Sequence, residues 1–355
     1  MFIIINKLNL HSIKHENIIR IFNTITTYHT KISRADIAAE SDLSIMTVGK
    51  VVDAFITSGI LTQSKEIKGS AGRKAGLVML NSERISFIID LTSYNFSFTV
   101  INFRLSPEDK IVYSYNKDYS YHQNLIIFLR NMKIYLDKKS VPDSDFYGIG
   151  VILPGRYNTN SDSVINSFIP ELNNINVKSM IENITGYDIA LIDSDIDAAA
   201  KSIINTQRYR TEHENVILHI SLNDQNHIRS SVIFNGSVMY NLSHTSGNIG
   251  DIYVGHNVSL QSMLYERQKI DDCIQEFCHV FHNIINLLTP DVVAIECDTL
   301  KISPDVKPKI TGQLIENYKV NKHLIPEIFI CNNEIRHSTR GVAIKLREIW
   351  FEKLL

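Results

Sequence analysis

Three carboxylates stand at alternate positions in "DSDIDAAA": Asp193, Asp195 and Asp197. The D-x-D-x-D spacing is that of a calcium loop, but the sixth position is Ala198 where the turn needs Gly, and the twelfth is Ile204 where Glu would close the shell. Carboxylates just ahead of an Ala-rich helix have a plainer use, accepting from its free amides and meeting the positive end of its dipole. Cys278 and His282 stand one helical turn apart, as two metal ligands could. The apolar helix around them, "IQEFCHVFHNIINLL", equally accommodates a buried thiol and a satisfied imidazole. With Cys273, Cys297 and Cys331 they make no C-x-x-C pair, which fits a reducing cytoplasm better than a disulfide scaffold.

A different chemistry is written near the start of the chain. In "ENIIRIFNTITTY" the spacing of Ile18, Ile19, Phe22 and Ile25 predicts an amphipathic helix. Ser33 precedes "RADIAAE" with Asp36 three residues on, the pattern of a capping box. Ser44 is the next cap, opening "IMTVGKVVDAFITSGIL", in which Val48, Val51, Val52, Phe55 and Ile56 are expected to face inward. Ile45, Met46, Thr47 and Lys50 are then left on the outside. Two helices joined by so short a turn match a helix-turn-helix, whose second helix reads the major groove of double-stranded DNA; a plain dimerising helical hairpin is the alternative. The adjoining segment favours DNA: "GILTQSKEIKGSAGRKAGLVML" predicts two strands around a basic tip, where Arg73 and Lys74 beside Gly72 could meet phosphate or a narrow minor groove. Gly49, inside the second helix, should weaken it by about 0.5–1 kcal/mol relative to Ala, or else mark a close approach to DNA.

The chain has 355 residues, 44% apolar and 21% charged, with net charge -2. That length exceeds what one core usually organises. Residues 1–81 hold ten Lys/Arg against six Asp/Glu, and residues 82–355 hold twenty-six against thirty-two, so a mildly basic front precedes a mildly acidic remainder. The apolar run in "MFIIINKLNL" is too short for a signal peptide, and no run approaches 18 apolar residues, so no membrane partner is expected. After Asn81, "RISFIIDLTSYNFSFTVINFRL" and "KIVYSYN" alternate as a three-strand meander. A helix is predicted over 122–138, a strand at "FYGIGVILPG", a helix over 176–186, a strand at "YDIALID" and a helix at "AAAKSIIN". A second meander begins at "NVILHISL" and "HIRSSVIFNGSVMY", ahead of a helix over 270–288, the strand "DVVAIECD" and a closing helix over 337–352. Meander, helix, strand, helix, given twice, implies two related α/β lobes across a cleft.

In order and wording these segments resemble the ROK family of repressors and sugar kinases, most closely its winged-helix repressors responding to glucose or N-acetylglucosamine. The resemblance is carried by "ISRADIAAESDLSIMTVGKVV", "GSAGRKAGLVMLN", "GIGVILPG", "TGYDIALIDSDIDAAA", "SGNIGDIYV", "NLLTPDVVAI" and "TRGVAIKLREIW". It implies an α/β chain with an N-terminal winged helix-turn-helix over 1–81 and a two-lobed body of the actin-like ATPase fold over 82–355. The family's kinases cradle ATP phosphates on glycine turns. Here Asp90 is succeeded by "LTSY", the second phosphate stretch "SLNDQNHIRSS" contains no glycine, and Glu296, Cys297 and Asp298 replace glycines on the adenosine side. No nucleotide cofactor and no kinase activity are therefore expected. The family's sugar-holding Asn-Asp pair corresponds to Ser194 and Asp195, the Asp being the general base in kinases. Its Glu-Ile-Gly-His stretch corresponds to Asn248, Ile249, Gly250 and Asp251, and its cysteine-rich zinc run to "GHNVSLQSMLYERQKID", which lacks Cys. Structural zinc is thus not expected.

The expected function is transcriptional regulation, as a repressor. Ile45, Met46, Thr47 and Lys50 would face the major groove, with Arg73 and Lys74 beside it and a homodimer or higher homo-oligomer meeting a pseudo-palindromic site. The body would dimerise and, with Ser194, Asp195, Asn248 and Asp251 as candidate sugar contacts, either sense a hexose or amino sugar or serve as a scaffold or protein-binding site. A sugar kinase carrying a DNA-binding module is the third reading.

Overall fold

The first helix, α1 (His15–Thr27), buries Ile18, Ile21, Phe22 and Ile25, the i, i+3, i+4, i+7 stripe of one helical face. Ile19, expected in that stripe, is half-buried on its flank, and Ile21 takes the place. A two-residue strand, β1 (Ile32–Ser33), leads into α2 (Arg34–Ser41), where Ser33 and Asp36 close the expected capping box. Asp42 turns the chain in the left-handed region, φ 53°, and Ser44 caps α3 (Ile45–Thr57). Val48, Val51, Val52 and Phe55 are buried as expected, while Ile56 is half-buried at the edge of the same core. Strands β2 (Leu61–Lys68) and β3 (Ala75–Leu80) form the wing, and β1 adds a third strand in the order β1-β3-β2. The structure is a computed structural model and describes residues 14–28, 30–68, 75–142, 145–206, 215–222, 228–239, 247, 249–255, 257–267, 271–297, 305–317, 325–331 and 335–355.

The first lobe opens with the meander β4 (Ile85–Asp90), β5 (Ser97–Asn102) and β6 (Pro107–Val112), whose proline begins an edge strand where no ladder amide is lost. Then come α4 (Tyr121–Lys139), β7 (Phe146–Leu153), the small hairpin β8 (Arg156–Asn158) and β9 (Ser163–Ile165), α5 (Val177–Thr185), β10 (Ile189–Ser194) and α6 (Asp195–Thr206). The sheet order is β10-β7-β4-β5-β6, with β7 parallel to both neighbours. The second lobe repeats the plan with β11 (Val216–Leu222), β12 (Ile228–Phe234) and β13 (Ser237–Val238). The hairpin β14 (Tyr253–Gly255) and β15 (Val258–Ser259), α7 (Leu260–Arg267) and α8 (Ile274–Leu288) precede β16 (Val292–Cys297), α9 (Val306–Asn317), β17 (Glu327–Cys331) and α10 (His337–Leu354). Its order, β13-β12-β11-β16-β17, reproduces that of the first sheet.

Helices α6 and α10 hold the same place in the two halves and cross one another. A Cβ at Gly341 would lie 1.6 Å from the Ala198 carbonyl oxygen, so the crossing is as close as backbone allows and only glycine fits. On its other side α10 lies over the first sheet, where Val342 fills the space above Gly150. The far end of α10 leaves the body: Phe351 stacks on Phe22 of α1 at 3.8 Å and meets Phe55 of α3 edge-on at 5.6 Å. One apolar core therefore runs from α1 and α3 through Val78 and Leu80 into α10 and β4.

Candidate nucleic-acid interface and interlobe cleft

At the start of α3, Ile45 is 62% and Met46 71% exposed, large apolar side chains on a helix whose opposite face is fully buried. Ser44 positions this tip by accepting from the Thr47 amide at 3.2 Å, and the two hydroxyls lie 2.9 Å apart, leaving Thr47 half-buried. Lys50 is exposed one turn on. An Arg34–Asp53 ion pair at 2.5 Å ties α2 to α3 across their outer surface. At the other end of α3, Arg84 donates to the Ser58 and Gly59 carbonyl oxygens at 2.8 and 3.0 Å and lies 4.7 Å over the Trp350 ring. A cation on the last carbonyls suits the negative end of the helix dipole, and it joins α3 to α10. Gly49 has only Arg34 Nη1 within reach of an added Cβ, at 3.9 Å, so packing does not require glycine there. Arg73 and Lys74 lie outside the described residues.

Between the lobes, Asp90, Asp193 and Asp195 each meet a cation from a distant element, whereas Asp197 Oδ1 is buried with no hydrogen-bond partner among the described residues. Asp90, at the end of β4, accepts from Thr92 N and Oγ1 at 2.9 and 2.6 Å, and from Arg336 Nη1 at 2.8 Å. Asp193 accepts from Lys345 of α10 at 2.5 Å. Asp195, 3% exposed, is paired with Arg229 of β12. Burial pushes the Asp195 carboxyl above its ordinary range, with Arg229 and then Arg336 pulling against it. These aspartates thus face separate cations instead of one ion, and Ser194 has a capping role, its Oγ accepting from Asp197 N at 3.2 Å. Asp251 ends a single 3-10 turn, Ile249–Asp251, and is exposed; Asn248 lies outside the described residues. That turn is stitched to β12, since Gln261 accepts from Ile228 N at 2.7 Å and a Cβ at Gly250 would lie 2.8 Å from the Ile228 oxygen.

At the end of β16, Glu296 turns inward. Its Oε1 accepts from His337 N at 2.7 Å, and Oε2 lies 3.5 Å from His219 Nε2. Burial acts to raise this carboxyl, but the His219 hydrogen bond and the neighbouring His337, His219 and Arg336 outweigh it and hold the group below its ordinary value. Arg229, Arg336 and the two histidines were not singled out in the sequence; an arginine inside the alternating strand "HIRSSVIF" was the one available signal.

The turn after Asp90 carries no glycine, and parts of the other two stretches compared with nucleotide loops, residues 223–227 and 298–300, lie outside the described residues. Leu91, Thr92 and Ser93 place buried side chains on the turn after Asp90, where phosphates need bare amides, and Arg336 holds the Asp90 carboxylate. Among the described residues no three His, Cys, Asp or Glu side chains converge as metal ligands. Cys278 points its thiol at the Ile310 carbonyl, 3.9 Å away, with burial pushing its pKa up to about 11, while His282 meets Asn286 at 3.2 Å. Among the described residues no helix is long and apolar enough to cross a membrane.

No protein-family model and no curated protein matches this sequence. Solved structures do share its fold. A ROK family transcriptional regulator, a homolog of the E. coli MLC protein, superposes with a TM-score of 0.65 at 14% identity over 95% of this chain and 98% of its own. A ROK family protein from Streptococcus pneumoniae TIGR4, in complex with sucrose, gives 0.56 at 14% identity over 76% of this chain and all of its own. A ROK hexokinase from Thermus thermophilus gives 0.51 at 12% identity over 73% and 97%. The regulator spans head and body together, so the chain shares its fold from the winged helix-turn-helix head through both lobes of the body.

Proposed function

We propose that this chain is a DNA-binding transcriptional regulator of the ROK type, a cytoplasmic repressor that binds as a homodimer and has no kinase activity. The observation that carries the reading is the exposed tip of α3: Ile45 and Met46 stand in solvent on a capped helix whose opposite face is buried. Apolar side chains there can meet thymine methyls, and the free amides of the helix start suit backbone phosphate. The boundary near residue 81 divides a DNA-reading head from a body that supplies dimerisation. Phosphoryl transfer is the competing reading, since kinases share the fold. Against it, Asp195, the position resembling the general base, is engaged by Arg229, and Asp90 by Arg336. The same two pairs occupy the cleft's carboxylates and support a body that no longer senses sugar there.

The test is binding of the full chain to fragments of its genome as a function of salt. Lys50→Ala should weaken operator binding by about 1–3 kcal/mol and alter base preference, whereas Arg73→Ala should weaken all sequences alike and lower the salt slope by about one. A chain indifferent to every fragment at low ionic strength would overturn the reading.

A further inference from the structure

A cavity of about 470 Å³ lies where the head meets the body. The turn between α1 and β1 supplies Tyr28 and Lys31, the wing strand β3 supplies Leu77 and Met79, and the body supplies Arg104 and Leu105 from the β5–β6 turn. Arg347 of α10 also reaches it, so three cationic side chains line the cavity and, among the described residues, no acidic one does. The volume falls within the range of small-molecule sites.

The β5–β6 turn is built to present its residues here. The Asn102 side-chain oxygen accepts from Arg104 N at 3.0 Å and Ser106 N at 3.1 Å, folding the turn around one carboxamide. Leu105 is held in the left-handed region at φ 66°, a conformation that L side chains rarely adopt. Strain of this kind persists only where surrounding structure imposes it, and it gathers at ligand sites. Arg104 is fixed by donation from Nε to the Leu80 carbonyl oxygen at 2.7 Å and from Nη2 to Met79 Sδ at 2.6 Å, and among the described residues its Nη1 has no hydrogen-bond partner. A guanidinium so oriented can bind an anion with little ordering still to be done.

We propose that this cavity binds a small amphipathic carboxylate, its acid group on Arg104 and its apolar body against Leu77, Met79 and Leu105. The ligand touches the head through Leu77 and Met79 and the body through Arg104 and Leu105, so its presence stiffens the joint between them.

Binding is measured by isothermal titration calorimetry on the free full-length chain, so the outcome is independent of whether the chain binds DNA. The probes are naphthoate and octanoate, with octanol as the uncharged control. One acid at least should bind with one site per chain, tenfold or more tighter than octanol. Arg104→Gln should weaken that binding at least tenfold. Leu77→Glu, at a half-buried position, should do the same by placing a carboxylate of the chain's own in the cavity. Failure of both acids to bind, octanol binding equally well, or both variants matching the parent would overturn the proposal.

Discussion

Glu296 and His337 form a buried pair whose hydrogen bond is backbone to side chain, and the His337 ring finds its own partner in Ser202, with Nδ1 2.9 Å from Oγ. Burial lowers the imidazole pKa below its ordinary value of 6.5; Glu296 opposes this, and His219 and Arg340 add to it. A base whose folded pKa is depressed stays neutral in the fold while the unfolded chain takes up a proton first. Its contribution to stability is therefore complete above about pH 6.5 and is lost as the pH falls from there toward the folded value. Glu296, depressed below the carboxylate range, adds stability that is present above its unfolded value and lost only at lower pH. The urea midpoint should thus fall between about pH 7.5 and about pH 5.5, and His337→Asn should flatten that fall. Equal pH slopes in parent and variant would show that His337 does not titrate in this window.

Among the elements, the crossing of α6 and α10 is the most constrained. These helices are equivalent members of the two lobes, and both cleft-facing cations of the last segment are carried by α10 or its first flanking residue: Lys345 inside it and Arg336 as its N-cap. An alanine at 341 would collide with the backbone carbonyl of Ala198, which no rotamer change can relieve. Gly341→Ala should cost at least about 3 kcal/mol in chemical denaturation, the upper end of overpacking, and Ala198→Gly should not rescue it because the clashing atom remains. Rescue would mean that the helices are not held at this separation. Several elements escaped the sequence reading for local reasons. Helix α9 carries Pro308 in its first turn and Gly312 in its interior, which blur a helical pattern, and β17 is a five-residue strand whose four-residue apolar run periodicity cannot classify.

Across the whole molecule, head and body are one packed object. Phe351 lies between Phe22 and Phe55 of the head, and Phe103 of the body meets Phe22 at 6.3 Å and Trp350 at 5.3 Å. Arg347 donates to the Phe103 carbonyl oxygen at 3.0 Å, closing the same junction. Truncating Phe351 to Ala should cost about 3–5 kcal/mol. Because its ring is shared, the loss should appear as faster hydrogen exchange in α1 and α3, by about two orders of magnitude, alongside α10. Exchange confined to α10 would instead mean that the head is stable without this contact.

The helical head was legible because its signals are local. Ser33, Asp36 and Ser44 act within three residues of themselves, and helical spacing alone separates buried Val48, Val51, Val52 and Phe55 from exposed Ile45 and Met46. The two meanders and their repetition were legible for the same reason, since alternation is set by the strand's own period. What the cleft's carboxylates do was decided only by the tertiary structure: Asp195 meets a cation 34 residues away and Asp90 one 246 residues away. A sequence shows that a charge exists and roughly which way it faces, but a buried charge takes its role from the group packed against it, and that pairing arises only when distant elements meet. The same holds for the junction cavity, whose walls come from four separate parts of the chain.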